Sequence, residues 1–433
     1  MFGFLNGLSA KAAVVAVLAL SGTVGASTTK ISPRDGRKWV SLWGTMPQLT
    51  EPANLPPAPF NETGLVFADS TIRQTVKVTL ESDTIRLQIS NVFGGSNLPI
   101  TSATIALPPT NDSGGSAINP STLTQLTFSG SEDFIVPNGA SVLSDPVRFP
   151  VKSGTVVTVS IYLASGQTTN SITSHPGSRT TSWFVRGNHV GSEDLEGASS
   201  VAHWYFISSI EGRVSSDASA VVIVGDSITD GRGSTTDKND RWPDQLVKRL
   251  QKDRSTRDIA VINQGAGGNR VLADGLGPNA LGRIDRDVIA MPGTGYAIIY
   301  NGVNDIGTAA PEEGAQKELG DRLIAAYEQI VDRLHRFGIP AFGATITPIT
   351  GSQSVYNGPE WEATRQRVNE WIRTSGRFDA VVDFDKAVRD PKNPEILRAE
   401  YNSGDDLHLN PKGYEAMAAA IDLKLFKKFR NGV

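Results

Sequence analysis

Four short stretches of the chain carry residue types that could transfer an acyl group. The apolar run VVIV at residues 221–224 leads straight into Gly225-Asp226-Ser227. A second apolar run ends in Asn263-Gln264-Gly265-Ala266-Gly267-Gly268-Asn269-Arg270, and a third in Asn301-Gly302-Val303-Asn304-Asp305. Near the C-terminus stands Asp405-Asp406-Leu407-His408-Leu409-Asn410-Pro411. A serine hydroxyl is a weak nucleophile at neutral pH. It needs a base within hydrogen-bond reach, and the base needs an acceptor that orients it. Of the five histidines, His408 has Asp405 three residues before it, a spacing that one helical turn would bring together. That makes Ser227 the candidate nucleophile, His408 the base and Asp405 its partner. Donors for a developing oxyanion are available in the Ser227 N–H, the Gly268 N–H and the Asn304 amide. Each of these residues also has an ordinary use: Ser227 or Asp405 as a helix cap, the glycines as a turn, Asn304-Asp305 as a polar loop.

These groups can meet only if strands hold them at one edge of a sheet. Residues 221–224, 259–262, 296–300, 341–346 and 380–384 form five short apolar runs. Between the third and fourth, Leu323, Ile324, Tyr327, Ile330, Val331 and Leu334 mark one face of a helix that Gly338 is placed to stop. After the first run, Pro243 stands near a helix start, with Leu246, Val247 and Leu250 on one side. Strands alternating with helices predict a parallel sheet covered on both faces, with function at the strands' carboxyl ends.

The preceding half has another texture. Val76, Val78 and Leu80 alternate with Lys77 and Thr79; Ile85, Leu87 and Ile89 alternate with Arg86 and Gln88; Val157, Val159, Ile161 and Leu163 alternate with Thr158, Ser160 and Tyr162. This period of two, punctuated by Gly, Pro, Asn and Ser clusters, predicts half-buried antiparallel strands in a β-sandwich-like domain over residues 36–212, followed by an α/β domain over 216–433. His175, His189 and His203 fall in the β half, which is assigned no chemistry. His335 reads as a surface residue of its helix.

The first 26 residues stand apart. Lys11 is their one charge, residues 12–20 are an apolar run, and Val24-Gly25-Ala26 offers small residues for cleavage. The pattern predicts a secretory signal peptide over residues 1–26, too short to span a bilayer. A secreted, extracellular chain with no integral membrane segment after its removal is expected. The chain has 433 residues, 39% hydrophobic and 20% charged, a balance that suits a folded protein of two or three domains. A net charge of −4 gives no electrostatic reason to bind nucleic acid. The absence of cysteine excludes disulfides and a thiol nucleophile. No His/Asp/Glu run has metal spacing, the glycines after residue 224 lack dinucleotide spacing, and Gly231-Arg232-Gly233-Ser234-Thr235 lacks the P-loop lysine. No cofactor or metal is expected. Asn61-Glu62-Thr63 and Asn111-Asp112-Ser113 are glycosylation sequons.

Taken in order, Gly-Asp-Ser, a glycine after the second strand, Gly-x-Asn-Asp and Asp-x-x-His resemble the four blocks of the SGNH (GDSL) hydrolase superfamily. The resemblance implies a flavodoxin-like three-layer α/β/α domain with a parallel five-stranded sheet. By it Ser227 is the nucleophile, Gly268 and Asn304 supply the oxyanion hole, and His408 and Asp405 complete the triad. The family's usual proline after the histidine is replaced by Leu409. The stretches Trp43-Gly44 and Ser90-Asn91-Val92-Phe93-Gly94 resemble the β domain that precedes this hydrolase domain in some secreted members. The expected activity is hydrolysis of a small-molecule or polysaccharide ester. The same resemblance admits a lipase, a lysophospholipase or a thioesterase, and the rival class is an inert secreted glycan-binding protein.

Overall fold

The computed structural model describes residues 36–433; the expected signal peptide lies outside the described residues. The N-terminal part is all β. One sheet runs Arg37–Gly44, Ile207–Ser215, Ser82–Ser90, Val147–Val151 in that order, with Ser141–Leu143 also paired to Ser82–Ser90. A six-stranded sheet runs Ser199–Val201, Ser182–Arg186, Ser70–Lys77, Val156–Leu163, Ser102–Ala106, Thr124–Leu126. Ile85, Leu87 and Ile89 from the first and Val157, Val159 and Ile161 from the second belong to one hydrophobic core. A small third sheet of Trp204–Tyr205, Thr173–His175 and Gln48–Leu49 lies beside them.

Alternation predicted strands buried on one face, yet Ser70–Lys77 is buried on both. Loops cover its polar side and satisfy it. The fully buried Arg73 donates to Ser160 Oγ (2.9 Å) and to the carbonyls of Ser116 (2.6 Å), His189 (3.0 Å) and Ser192 (2.8 Å). A buried guanidinium persists only when its donors are met in this way.

The C-terminal part is a five-stranded parallel sheet. Its strands, in chain order, are Ser219–Gly225, Ile259–Gly265, Thr294–Tyr300, Ala341–Ala344 and Ala380–Val382. In space the second lies at one edge, followed by the first, third, fourth and fifth. This is the flavodoxin-like order, and the central strand is the one that ends at Ser227. Helices Trp242–Lys252, Glu313–His335, Pro359–Thr374 and Pro411–Ala420 surround the sheet. In the long helix Leu323, Tyr327, Ile330, Val331 and Leu334 are buried, and Gly338 follows with φ +67°. His335 is half-buried instead of free on the surface, because its Nε2 lies 2.9 Å from the Asp379 carboxylate.

The two parts are joined closely. The last β-domain strand runs to Ser215 and the first parallel strand begins at Ser219. The exposed edge of the second parallel strand is met from the β side: Val261 N–H donates to Thr79 Oγ1 at 3.0 Å. An uncovered strand edge is a pairing hazard, and here the β domain covers it. Val40, Leu42 and Trp43 share one hydrophobic cluster with Ile262, Val288 and Met291.

Candidate active site

The central strand is apolar because it is covered on both faces; Val221, Val222, Ile223 and Val224 are all fully buried. It ends in a sharp turn. Asp226 takes extended backbone angles and its carboxylate accepts Ile228 N–H at 2.9 Å, capping a four-residue helix, Ser227–Asp230. Gly231 closes that helix in the left-handed conformation, and both Gly231 N–H and Arg232 N–H donate to Ser227 O at 2.9 Å. Ser227 is thus the first helical residue, where an N–H has no acceptor within the helix. Its N–H is available to a ligand.

Ser227 Oγ lies 2.6 Å from His408 Nε2, and His408 Nδ1 lies 2.7 Å from Asp405 Oδ2. The nearness of Asp405 and His408 does not come from a helical turn as the spacing suggested. Residues 404–408 form a bent loop with Asp406 at φ +57°. Asp405 Oδ1 accepts the backbone N–H groups of Leu407 (3.2 Å) and His408 (2.8 Å), which folds the loop around the carboxylate. Partial burial opposes charge on Asp405. Hydrogen bonds from the His408 ring and from these N–H groups outweigh it and hold the carboxyl well below its ordinary range. Leu409, where a proline was expected, is fully buried, and Asn410 caps the helix that opens at Pro411.

The second strand delivers Gly268 at φ +68°, a conformation that favours glycine. Asn304 sits in the helix Val303–Thr308 with its Nδ2 donating to Asn269 O at 3.0 Å. Because that carbonyl can only accept, the amide orientation is fixed. Asn304 Oδ1 then accepts from Tyr356 OH at 2.9 Å, and the second Nδ2 hydrogen remains for an oxyanion.

The family model described as GDSL-like Lipase/Acylhydrolase matches residues 223–416. Residues 223–416 form a GDSL-like lipase/acylhydrolase domain. The domain makes the chain an ester-hydrolysing enzyme. Among solved structures the chain is similar to a GDSL-like lipase from Bacteroides thetaiotaomicron, with 19% identity over 48% of this chain and 88% of that one and a TM-score of 0.36. An acetylxylan esterase from Geobacillus stearothermophilus shows 21% identity over 49% and 95%, with a TM-score of 0.36. A lipase/acylhydrolase from Enterococcus faecalis shows 17% identity over 49% and 96%, with a TM-score of 0.35. No curated protein matches the chain.

Asn269, Arg283 and Tyr356 of the acylhydrolase domain, which hold the site, are not singled out by the sequence. The fully buried Asn269 accepts at Oδ1 from Arg283 Nε (3.2 Å), Arg283 Nη2 (3.0 Å) and Asn301 Nδ2 (3.0 Å), while its carbonyl orients Asn304. Arg283 also donates to Gly225 O (3.2 Å) and Gln264 O (2.8 Å), tying the ends of the first two strands together. Asp305 accepts Val271 N–H (2.7 Å) and Leu272 N–H (2.9 Å); burial nevertheless pushes its carboxyl up to about 6. Asp226 is raised to about 7, first by burial and then by the neighbouring carboxylates Asp305 and Asp230, against the Ile228 N–H bond. The sequence signal for Asn269 was its place directly after Gly267-Gly268. Arg283 and Tyr356 gave none, since their roles depend on which backbone they reach. Among the described residues no group of His, Cys, Asp and Glu could hold a metal ion, and no helix is long and apolar enough to cross a membrane.

The β-half histidines were expected to stand apart from the site. His175 does not: its Nε2 lies 2.8 Å from Asp230 Oδ1, on the last residue of the Ser227–Asp230 helix.

Proposed function

We propose that the protein is a secreted serine esterase acting on short-acyl or acetyl esters through Ser227, His408 and Asp405. The observation that carries this reading is the unbroken chain Ser227 Oγ, His408 Nε2, His408 Nδ1, Asp405 Oδ2, with links of 2.6 and 2.7 Å. In the proposed reaction Oγ attacks the ester carbonyl carbon while His408 Nε2 takes the Oγ proton. Asp405 stabilises the imidazolium that forms. The carbonyl oxygen becomes an oxyanion held by Ser227 N–H, Gly268 N–H and the Asn304 amide. As the intermediate collapses, His408 returns the proton to the leaving alcohol and an acyl-serine remains. Water then loses a proton to His408 as it attacks the acyl carbon, and His408 gives that proton to Ser227 Oγ as the acid leaves, restoring both residues.

A short acyl group is supported by the bulk beside the oxyanion donors. Leu276 packs against Gly268, and Tyr356 bonds Asn304 while its ring lies against Gly307. Secretion is supported by the sequence pattern of residues 1–26, and an exported enzyme would meet acyl esters of extracellular polysaccharide. The test is turnover of p-nitrophenyl esters from acetate to decanoate, beside acetylated xylan and pectin, by the protein and by Ser227→Ala. The expected result is a rate that falls with chain length and vanishes in the variant. A preference for long chains overturns the short-acyl assignment, and full turnover by Ser227→Ala overturns the mechanism.

A further inference from the structure

The nucleophile helix has four residues, too few to hold itself rigid. Its own domain fixes one side: Asn263 Nδ2 donates to Thr229 O at 2.9 Å and Trp242 Nε1 to Thr229 Oγ1 at 3.3 Å. The other side is held from the β domain, by a residue 55 positions upstream of Asp230. There His175 Nε2 meets Asp230 Oδ1 at 2.8 Å, and His175 Nδ1 lies 3.0 Å from Met46 O. A carbonyl only accepts, so Nδ1 carries a proton and the ring is fixed in one orientation. The remaining Nε2 and the carboxylate share a second proton between them. His175 is buried, and its ring stacks on Trp204, which in turn meets Trp43 edge to face at 4.9 Å.

Two further contacts show that the fit is specific. Gly177 lies so close to Asp230 that a Cβ there would stand 1.6 Å from Asp230 Oδ2. That oxygen is buried with no hydrogen-bond partner, so Oδ1 carries the whole attachment of the side chain. Ser178 O accepts from Arg241 Nη1 at 3.3 Å, and Arg241 packs over Gly231, the residue that ends the helix. The 175–178 segment therefore touches the helix end both directly and through Arg241.

We propose that His175 is a positioning residue for catalysis: by holding Asp230 it fixes the Ser227–Asp230 helix, and with it the Ser227 hydroxyl, against His408. The β domain then forms part of the active-site frame, though it touches no reacting atom. This rests on Ser227 being the nucleophile. A misplacement of about 1 Å in a reacting group can cost on the order of 10²-fold in rate. Hence His175→Ala and Asp230→Ala should each lower kcat by roughly 10–10²-fold with KM changed by less than about threefold.

The conservative variant separates positioning from mere stability. In Asp230→Asn the amide N–H can donate to a neutral His175 Nε2, so the link survives without charge. It should retain kcat within about threefold, whatever its melting temperature. The double variant His175→Ala/Asp230→Ala should lose no more than either single one, because both remove the same link. The full chain is assayed with p-nitrophenyl acetate at 25 °C, with the rate of fluorophosphonate labelling as a second readout and circular dichroism as the check on folding. Should His175→Ala not fold, the Asp230→Ala and Asp230→Asn pair carries the test. A folded His175→Ala or Asp230→Ala with wild-type kcat and labelling rate overturns the proposal, as does an Asp230→Asn as slow as Asp230→Ala. Turnover retained by Ser227→Ala removes the nucleophile itself, whereas an inert Ser227→Ala beside a fully active His175→Ala overturns the positioning role alone.

Discussion

Asp405 receives two hydrogen bonds from the same residue, the Nδ1–H of His408 at 2.7 Å and its backbone N–H at 2.8 Å. One carboxylate therefore sets both the fold of the loop and the tautomer of the ring. The adjacent Asp406 faces elsewhere: it accepts Gln353 N–H at 2.9 Å and the Asn402 amide, and so joins two loops. Asp405→Asn should turn the amide N–H towards Nδ1 and favour a proton on Nε2, the wrong tautomer for a base. The expected loss is about 10–10³-fold in kcat. Asp406→Asn should keep kcat within about threefold and lower the melting temperature slightly, since one of two accepted bonds is lost. Steady-state kinetics and melting curves on both variants check this.

Asn304 and Tyr356 form a graded pair. Asn304→Ala removes the proposed oxyanion donor and should cost about 10²–10³-fold in kcat with little change in KM. Tyr356→Phe removes the bond that braces Asn304 Oδ1, leaving the Asn269 contact to orient the amide. A smaller loss, roughly 3–10-fold, is expected. Equal losses in both would give Tyr356 a direct role.

Asp226 should make stability depend on pH. In the fold its carboxyl is raised to about 7, so it keeps a proton that the unfolded chain releases near pH 4. Its contribution is fully present below pH 4 and is lost as pH rises through 7. Asp226→Asn keeps an accepting oxygen for Ile228 N–H and has nothing to ionise. It should therefore match the native protein at low pH and exceed its stability above pH 7, by on the order of 3 kcal/mol. Urea unfolding at pH 4.5 and pH 8 measures the difference; the same offset at both would assign it to something other than ionisation.

Arg283 is buried and meets two strand-end carbonyls, Asn269 and the Asp287 carboxylate (3.1 Å). Arg283→Met leaves all of them without this donor, and a loss of about 3–5 kcal/mol is expected by chemical denaturation. A loss below about 1 kcal/mol would mean that other groups take over its bonds.

Local patterns carried most of what the sequence revealed. The five apolar runs and the helix face from Leu323 to Leu334 follow from periodicity, so the sheet and its helices were legible. The motifs at the strand ends pointed to Ser227, Gly268 and Asn304 because strand-end residues share one edge whatever the loops do, and His408 was marked by Asp405 three residues before it. What the pattern missed depends on contacts between distant segments. Arg73 lies in an alternating strand, and only the loops at 116 and 189–192 make its burial tolerable. His175 and Asp230 lie 55 positions apart, in the two different parts of the chain. A spacing of three between Asp405 and His408 fits a helical turn and a bent loop alike; the left-handed Asp406 decides for the loop.

The most direct measurement of the central claim is covalent labelling of the full chain with a fluorophosphonate, followed by peptide mass spectrometry and a parallel assay of ester hydrolysis. The Ser227–His408 geometry predicts one adduct per chain, located on Ser227, with activity lost in proportion to labelling and no adduct in Ser227→Ala. Stoichiometric labelling at another residue, or hydrolysis that persists in the fully labelled protein, would contradict it.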